Sequence, residues 1–154
     1  MDNNDILRKL RYTFNLSDSK MINIFNEANH SVTRAQVSNW LKKEDHDEFK
    51  PITDKELALF LNGFINKKRG KKEGPQPEPE DTINNNIVFR KLRIALNLKD
   101  DDILGILKLS NVVISKHELS AFFRRPGHPK SRHCKDQILR NFLHGLQKKY
   151  RDLK

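Results

Sequence analysis

The densest group of side chains able to do chemistry lies where the chain reads Arg124-Arg125-Pro126-Gly127-His128-Pro129-Lys130-Ser131-Arg132-His133-Cys134-Lys135. Three Arg, two Lys and two His stand there, and no acid follows until Asp136. Arginine suits phosphate because its planar guanidinium donates two hydrogen bonds at once, and each phosphate neutralised releases counterions. The Pro and Gly residues are expected to hold the segment as a turn. Contact with a polyanion would fall to Arg124, Arg125, His128, Lys130, Arg132, His133 and Lys135. A basic strip on a nearby helix, Arg90-Lys91 with Arg93, is expected to extend the same surface.

Other chemistries fit less well. His117, His128, His133 and Cys134 are close in sequence, but zinc needs four N or S ligands in a closed tetrahedron. Adjacent His133 and Cys134 rarely aim at one ion, and no paired-cysteine motif exists. A nucleophilic Cys134 would need a positioned base and an electropositive site. There is no Gly-rich phosphate loop of standard spacing and no Ser-centred elbow. The expectation is a non-enzymatic protein with no cofactor and no metal.

The charge is unevenly spread. Residues 1–70 carry 12 Lys+Arg against 10 Asp+Glu, residues 71–82 carry 2 against 4, and residues 83–154 carry 16 against 6. The whole excess of +10 therefore sits in the second half, with four of the six His. Such asymmetry suggests a polyanionic partner for that half. Charged residues at 32% and a mean hydropathy of -0.78 argue against a membrane span, which needs about 20 apolar residues in a row. One cysteine precludes an internal disulfide framework, and the polar N-terminus lacks the apolar centre of a secretory signal, so a cytoplasmic protein is expected.

The elements that must position these residues come as a repeat. Sliding the chain by 82 residues aligns Asn3–Gly70 with Asn85–Asp152 without a gap, with 20 of 68 positions identical. The reading is all-α: a first helical module over 1–70, a Pro- and charge-rich linker over 71–83, and a second module over 84–154. Each module reads as four helices. The first helices span about 4–15 and 86–97, after Asn residues suited to N-capping. The second begin near Asp18 and Asp100. The third open on capping boxes, Thr33 with Gln36 and Ser115 with Glu118, and are expected to bury Val37, Trp40 and Leu41, or Leu119, Phe122 and Phe123. The fourth run about 54–68 and 136–150. Gly63 and Gly145 lie inside them, where glycine costs roughly 1 kcal/mol relative to alanine, so a close helix–helix contact is expected at each.

The second and third helices have the outline of a helix-turn-helix. A plain bundle with an aromatic inner face has the same outline, and few polar residues are free to read bases. The copies differ most after their third helices. Lys42-Lys43-Glu44-Asp45-His46-Asp47-Glu48-Phe49-Lys50 is acidic where 124–135 is basic. Two functions follow. In the first, the second module contacts nucleic acid through its basic turn and helix face. In the second, an adaptor or self-associating protein pairs the acidic turn 44–48 with the basic turn 124–135, or meets an acidic protein surface.

The whole chain resembles the YehS-like family of small bacterial proteins, a family of unknown function with a duplicated domain. The resemblance is carried by Asn3-Asn4-Asp5-Ile6-Leu7-Arg8, Trp40-Leu41-Lys42-Lys43-Glu44-Asp45, Phe60-Leu61-Asn62-Gly63, Lys68-Arg69-Gly70-Lys71, Ile83-Asn84-Asn85-Asn86-Ile87-Val88 and Lys91-Leu92-Arg93-Ile94-Ala95. It implies a bacterial, cytoplasmic origin and transfers no activity onto residues.

Overall fold

The computed structural model describes residues 1–152; the last two residues assigned to the second module, 153 and 154, lie outside the described residues. The chain divides into two compact units, Met1–Ile83 and Asn84–Lys154. Unit 1 contains α1 (Asn3–Thr13), α2 (Asp18–Glu27), α3 (Arg34–Leu41) and α4 (Asp54–Arg69). Unit 2 contains α5 (Asn85–Leu96), α6 (Asp100–Leu109), α7 (Lys116–Phe122) and α8 (Asp136–Gln147), which a π-helical turn over Lys148–Asp152 extends. No strand occurs among the described residues. The fold is all-helical, with one four-helix plan used twice.

The boundaries of these helices follow from local chemistry. Thr33 and Ser115 each accept from the backbone N–H three residues on, and Gln36 and Glu118 return the bond. Thr53 and Glu56 do the same before α4. Helices α1 and α2 are followed by Asn15 and Asn29 at φ 52° and 59°, and α5 and α6 by Asn97 and Asn111 at φ 54° and 62°. Asparagine tolerates this left-handed region better than other non-glycine residues, which accounts for two of the identities between the copies. The first helices are not capped by Asn3 and Asn85. Asp2 and Asn84 are the caps, and Asn3 and Asn85 fall in the first turn, where their side chains are free to reach elsewhere.

Within each unit the fourth helix packs against the second, α4 on α2 and α8 on α6. Gly63 and Gly145 make this possible. An ideal Cβ on Gly63 would collide with the Ile24 carbonyl, and one on Gly145 with the Ile106 carbonyl. The core of unit 1 is built around Phe25, whose ring lies 5.5 Å from Trp40 and 5.3 Å from Phe60. In unit 2 the hub moves to Phe89, 4.5 Å from Phe142 and 5.0 Å from Phe123. The third helices bury less than their apolar residues suggest. Val37, Trp40 and Leu119 are enclosed, but Leu41, Phe122 and Phe123 are only half-buried. Helix α7 has seven residues and ends at Phe122, so its last turn lies at the margin of the core.

The Pro-rich segment after α4 is held to unit 1. Asn66 Nδ2 donates to Gln76 Oε1 at 2.9 Å, and the backbone N–H of Ile83 donates to Asp54 Oδ2 at 3.0 Å.

Candidate functional site

The turn that follows the third helix is pinned by the first helix in the same way in both units. In unit 1, Asn4 Nδ2 donates to the carbonyls of Trp40 (2.9 Å) and Lys50 (3.0 Å), and its Oδ1 accepts from Ile52 N–H at 3.2 Å. In unit 2, Asn86 Nδ2 donates to the carbonyls of Phe122 (3.1 Å) and Arg132 (2.8 Å), and its Oδ1 accepts from Cys134 N–H at 2.8 Å. The neighbouring asparagines repeat the device. Asn3 donates to the Ile52 carbonyl and to Asp54 Oδ1, and Asn85 to the Cys134 carbonyl and to Asp136 Oδ1. An amide side chain has one acceptor and two donors, so a single Asn can bind both ends of a turn. The bond from Asn85 also holds the Asp136 carboxyl below its ordinary value.

The turn's interior is equally conserved between the copies. His46 Nδ1 accepts from Glu48 N–H at 3.0 Å, and His128 Nδ1 accepts from Lys130 N–H at 3.0 Å. Backbone bonds from Lys50 to Asn39 and from Arg132 to Ala121 close each turn against its third helix. Unit 1 makes this turn with no glycine and no proline between Lys42 and Lys50. Pro126, Gly127 and Pro129 are therefore not what creates the turn in unit 2, although Gly127 uses its freedom at φ 88°. The asparagine pair and the histidine set the frame.

What the frame carries is opposite in the two units. In unit 1 two of its cations, Arg8 and Lys42, are answered by acids. Arg8 Nη2 lies 2.6 Å from Asp5 Oδ1 while Nη1 donates to the Lys42 carbonyl, and Lys42 Nζ lies 2.8 Å from Glu48 Oε2. Partial burial pushes the Asp5 carboxyl up, but hydrogen bonds from Arg8 and Asp2 and the Arg8 charge outweigh it and hold the group below its ordinary value. Lys42 does the same for Glu48. In unit 2 the positions of Asp5 and Glu48 are occupied by Ile87 and Lys130. No carboxylate among the described residues pairs with Arg90 or Arg124, the counterparts of Arg8 and Lys42.

Between α5, α7 and the turn, unit 2 has a cleft of about 240 Å³ lined by Asn84, Asn86, Ile87, Arg90, Phe122, Arg124, Pro126, Ser131, Arg132 and His133. Of the cationic side chains expected at the surface, four line it: Arg90, Arg124, Arg132 and His133. Arg125, Lys130 and Lys135 are exposed outside the lining, and His128 is committed to the turn backbone. Arg93 is turned away, its guanidinium 3.1 Å from Asp100 and stacked 4.7 Å over the Phe123 ring. Lys91 is also outside the lining. Sequence reasoning missed Asn86 and Phe122 as parts of this site. Repetition of the Asn-Asn pair at the head of both first helices was the available signal.

Cys134 is fully enclosed, and burial together with the Asp136 carboxylate pushes its thiol up to about 12. A thiol so placed stays protonated and is a poor nucleophile at neutral pH. Among the described residues no group of three His, Cys, Asp or Glu is arranged to hold a metal ion, and no helix is long and apolar enough to cross a membrane.

Comparison with known proteins agrees with the duplication. The model of a family described as a protein of unknown function, DUF1456, matches twice, over residues 3–70 and 85–152. These ranges are related by the same 82-residue shift. The chain is 47% identical over 147 residues to the uncharacterized protein YehS of Escherichia coli (strain K12), a match covering 95% of this chain and 94% of that protein. No solved structure matches. The chain belongs to the DUF1456 family of proteins of unknown function and carries that family's domain twice.

Proposed function

We propose that this protein is a non-enzymatic binding protein whose second unit contacts nucleic acid through the basic turn 124–135 and the adjoining face of α5. One observation carries the reading: two acids that neutralise the frame in unit 1, Asp5 and Glu48, are replaced by Ile87 and Lys130 in unit 2. Arg90 and Arg124 then line an open cleft with Arg132 and no acid among its lining residues. Three guanidiniums line a cleft whose backbone is pinned, Arg132 giving Nη1 to the carbonyls of Pro129 and Ser131, and Arg125, Lys130 and Lys135 add charge around it for neighbouring phosphates.

The test uses the first unit as template. Ile87→Asp with Lys130→Glu places the acids of unit 1 at the matching positions of unit 2. Fluorescence anisotropy of labelled DNA and RNA is followed at several salt concentrations, beside a variant with Arg124, Arg125, Lys130 and Arg132 changed to Ala. Wild type is expected to bind with a steep salt slope, and both variants to bind weakly with a shallow one. Absence of binding by wild type at low salt overturns the proposal.

A further inference from the structure

The cleft is concave and has two kinds of wall, which bears on the form of nucleic acid it takes. Arg90, Arg124 and Arg132 supply the cationic side, whereas Ile87 and Phe122 supply an apolar side within the same 240 Å³. Phe122 stands where unit 1 has Trp40, but Trp40 is 4% exposed and packed 5.5 Å from Phe25, whereas Phe122 is half-buried and borders the cleft. Its nearest ring partner, Phe89, is 6.2 Å away. The first turn of α5, through Asn84, Asn86 and Ile87, lines the same space and brings the positive end of a 12-residue helix to it. A duplex presents a convex ridge of phosphates with its bases stacked inside, so it could offer this cleft phosphate oxygens and no ring. An unpaired nucleotide offers an anion and a planar apolar face together, one for each wall.

We infer that this cleft seats one unpaired nucleotide, its phosphate on Arg90, Arg124 and Arg132 and its base against Phe122. The inference rests on the nucleic-acid reading for its polymer form, and it adds a preference for single strands and for nucleotide ends or flipped-out bases. Stacking of this kind tolerates any base, so sequence preference is expected to be modest.

The experiment measures three ligands at low salt: a labelled single-stranded 12-mer, the matching duplex, and adenosine monophosphate as competitor. Wild type is compared with Phe122→Leu, which keeps most of the apolar volume, and thermal unfolding checks that the variant is folded. The expected result is single-strand binding at least roughly tenfold tighter than duplex binding, with Phe122→Leu removing roughly tenfold from the single strand and little from the duplex. Equal binding of strand and duplex, or a folded Phe122→Leu variant with undiminished preference, overturns the nucleotide seat and leaves nucleic-acid contact standing. Binding of the mononucleotide without either polymer supports the seat and overturns nucleic-acid contact. Binding of none of the three overturns both. Should Phe122→Leu fail to fold, Ile87→Asp carries the test by setting a carboxylate beside Arg90; an unchanged single-strand preference in that variant overturns the seat.

Discussion

The backbone carbonyl of Ile24 occupies the space that a side chain on Gly63 would need, and the carbonyl of Ile106 does the same to Gly145. The fourth helix of each unit thus rests directly on the backbone of the second. Gly63→Ala and Gly145→Ala are expected to destabilise by about 1–3 kcal/mol or more, because separating two packed helices outweighs the roughly 1 kcal/mol of helix propensity that alanine brings. Gly105 is the control. Nothing lies within 4 Å of its ideal Cβ, so Gly105→Ala in α6 should stabilise by about 0.5–1 kcal/mol. Chemical denaturation of the three variants checks both signs.

Asn4 and Asn86 hold equivalent turns, but Asn4 is 3% exposed and Asn86 is half-buried. Removing Asn4 strands the Trp40 carbonyl and the Ile52 N–H, both buried, and frees the Lys50 carbonyl. Asn4→Ala should therefore cost roughly 2–3 kcal/mol, and Asn86→Ala less, because the Arg132 carbonyl it releases is exposed to water. Asn86→Ala should instead weaken anion binding, since the carbonyls of Phe122 and Arg132, which bracket the stretch carrying Arg124, lose their shared anchor. Paired measurements of stability and of anisotropy separate the two effects. A large stability loss in Asn86→Ala with unchanged binding would contradict this account.

Acid should break the Asp5 and Glu48 contacts of the unit 1 turn, which unit 2 lacks. Asp5 and Glu48 both titrate below their ordinary values of 3.8 and 4.5. A depressed folded-state value means the stabilisation is present above the ordinary value and is lost as pH falls through the lowered one. Amide resonances of residues 42–50 should therefore shift as pH drops below about 4, in the carboxylate range. Unit 2 has Ile87 and Lys130 at those positions, so residues 124–130 should show no matching transition, and its acid response should be confined to the Asp136 end of the frame.

Cys134 should behave as an inaccessible thiol. With its folded-state value raised from 9.0 to about 12, the stabilisation from keeping it protonated is complete below pH 9 and is lost as pH rises from there toward 12. A thiol reagent at pH 8 should label the native protein slowly and the denatured protein at once. Unfolding midpoints should fall above pH 9 in wild type more than in Cys134→Ala. Rapid labelling of the folded protein would show that the third-to-fourth helix turn opens readily.

The repeat, the four-helix plan of each copy, the capping boxes at Thr33 and Ser115 and the glycines of the fourth helices were all legible in the chain. They rest on periodicity and short-range hydrogen bonding, which act over a few residues and leave a local mark. The charge contrast between 44–48 and 124–135 was legible for the same reason.

Tertiary structure decided what those charges face. Asn4 and Asn86 meet their partners 36 to 48 residues away, and nothing in the local pattern distinguishes such an asparagine from a helix cap. Whether an arginine is answered depends on a neighbour brought in by folding: Arg93 found Asp100 and Phe123, whereas Arg90 found a cleft. Phe122 reads as a core residue by spacing, yet it borders that cleft because α7 is short and ends there. The sequence by itself determined one scaffold used twice with opposite charge on the same turn. Folding alone gathered three of the arginines around a common space, because side chains distant in the chain converge only through packing.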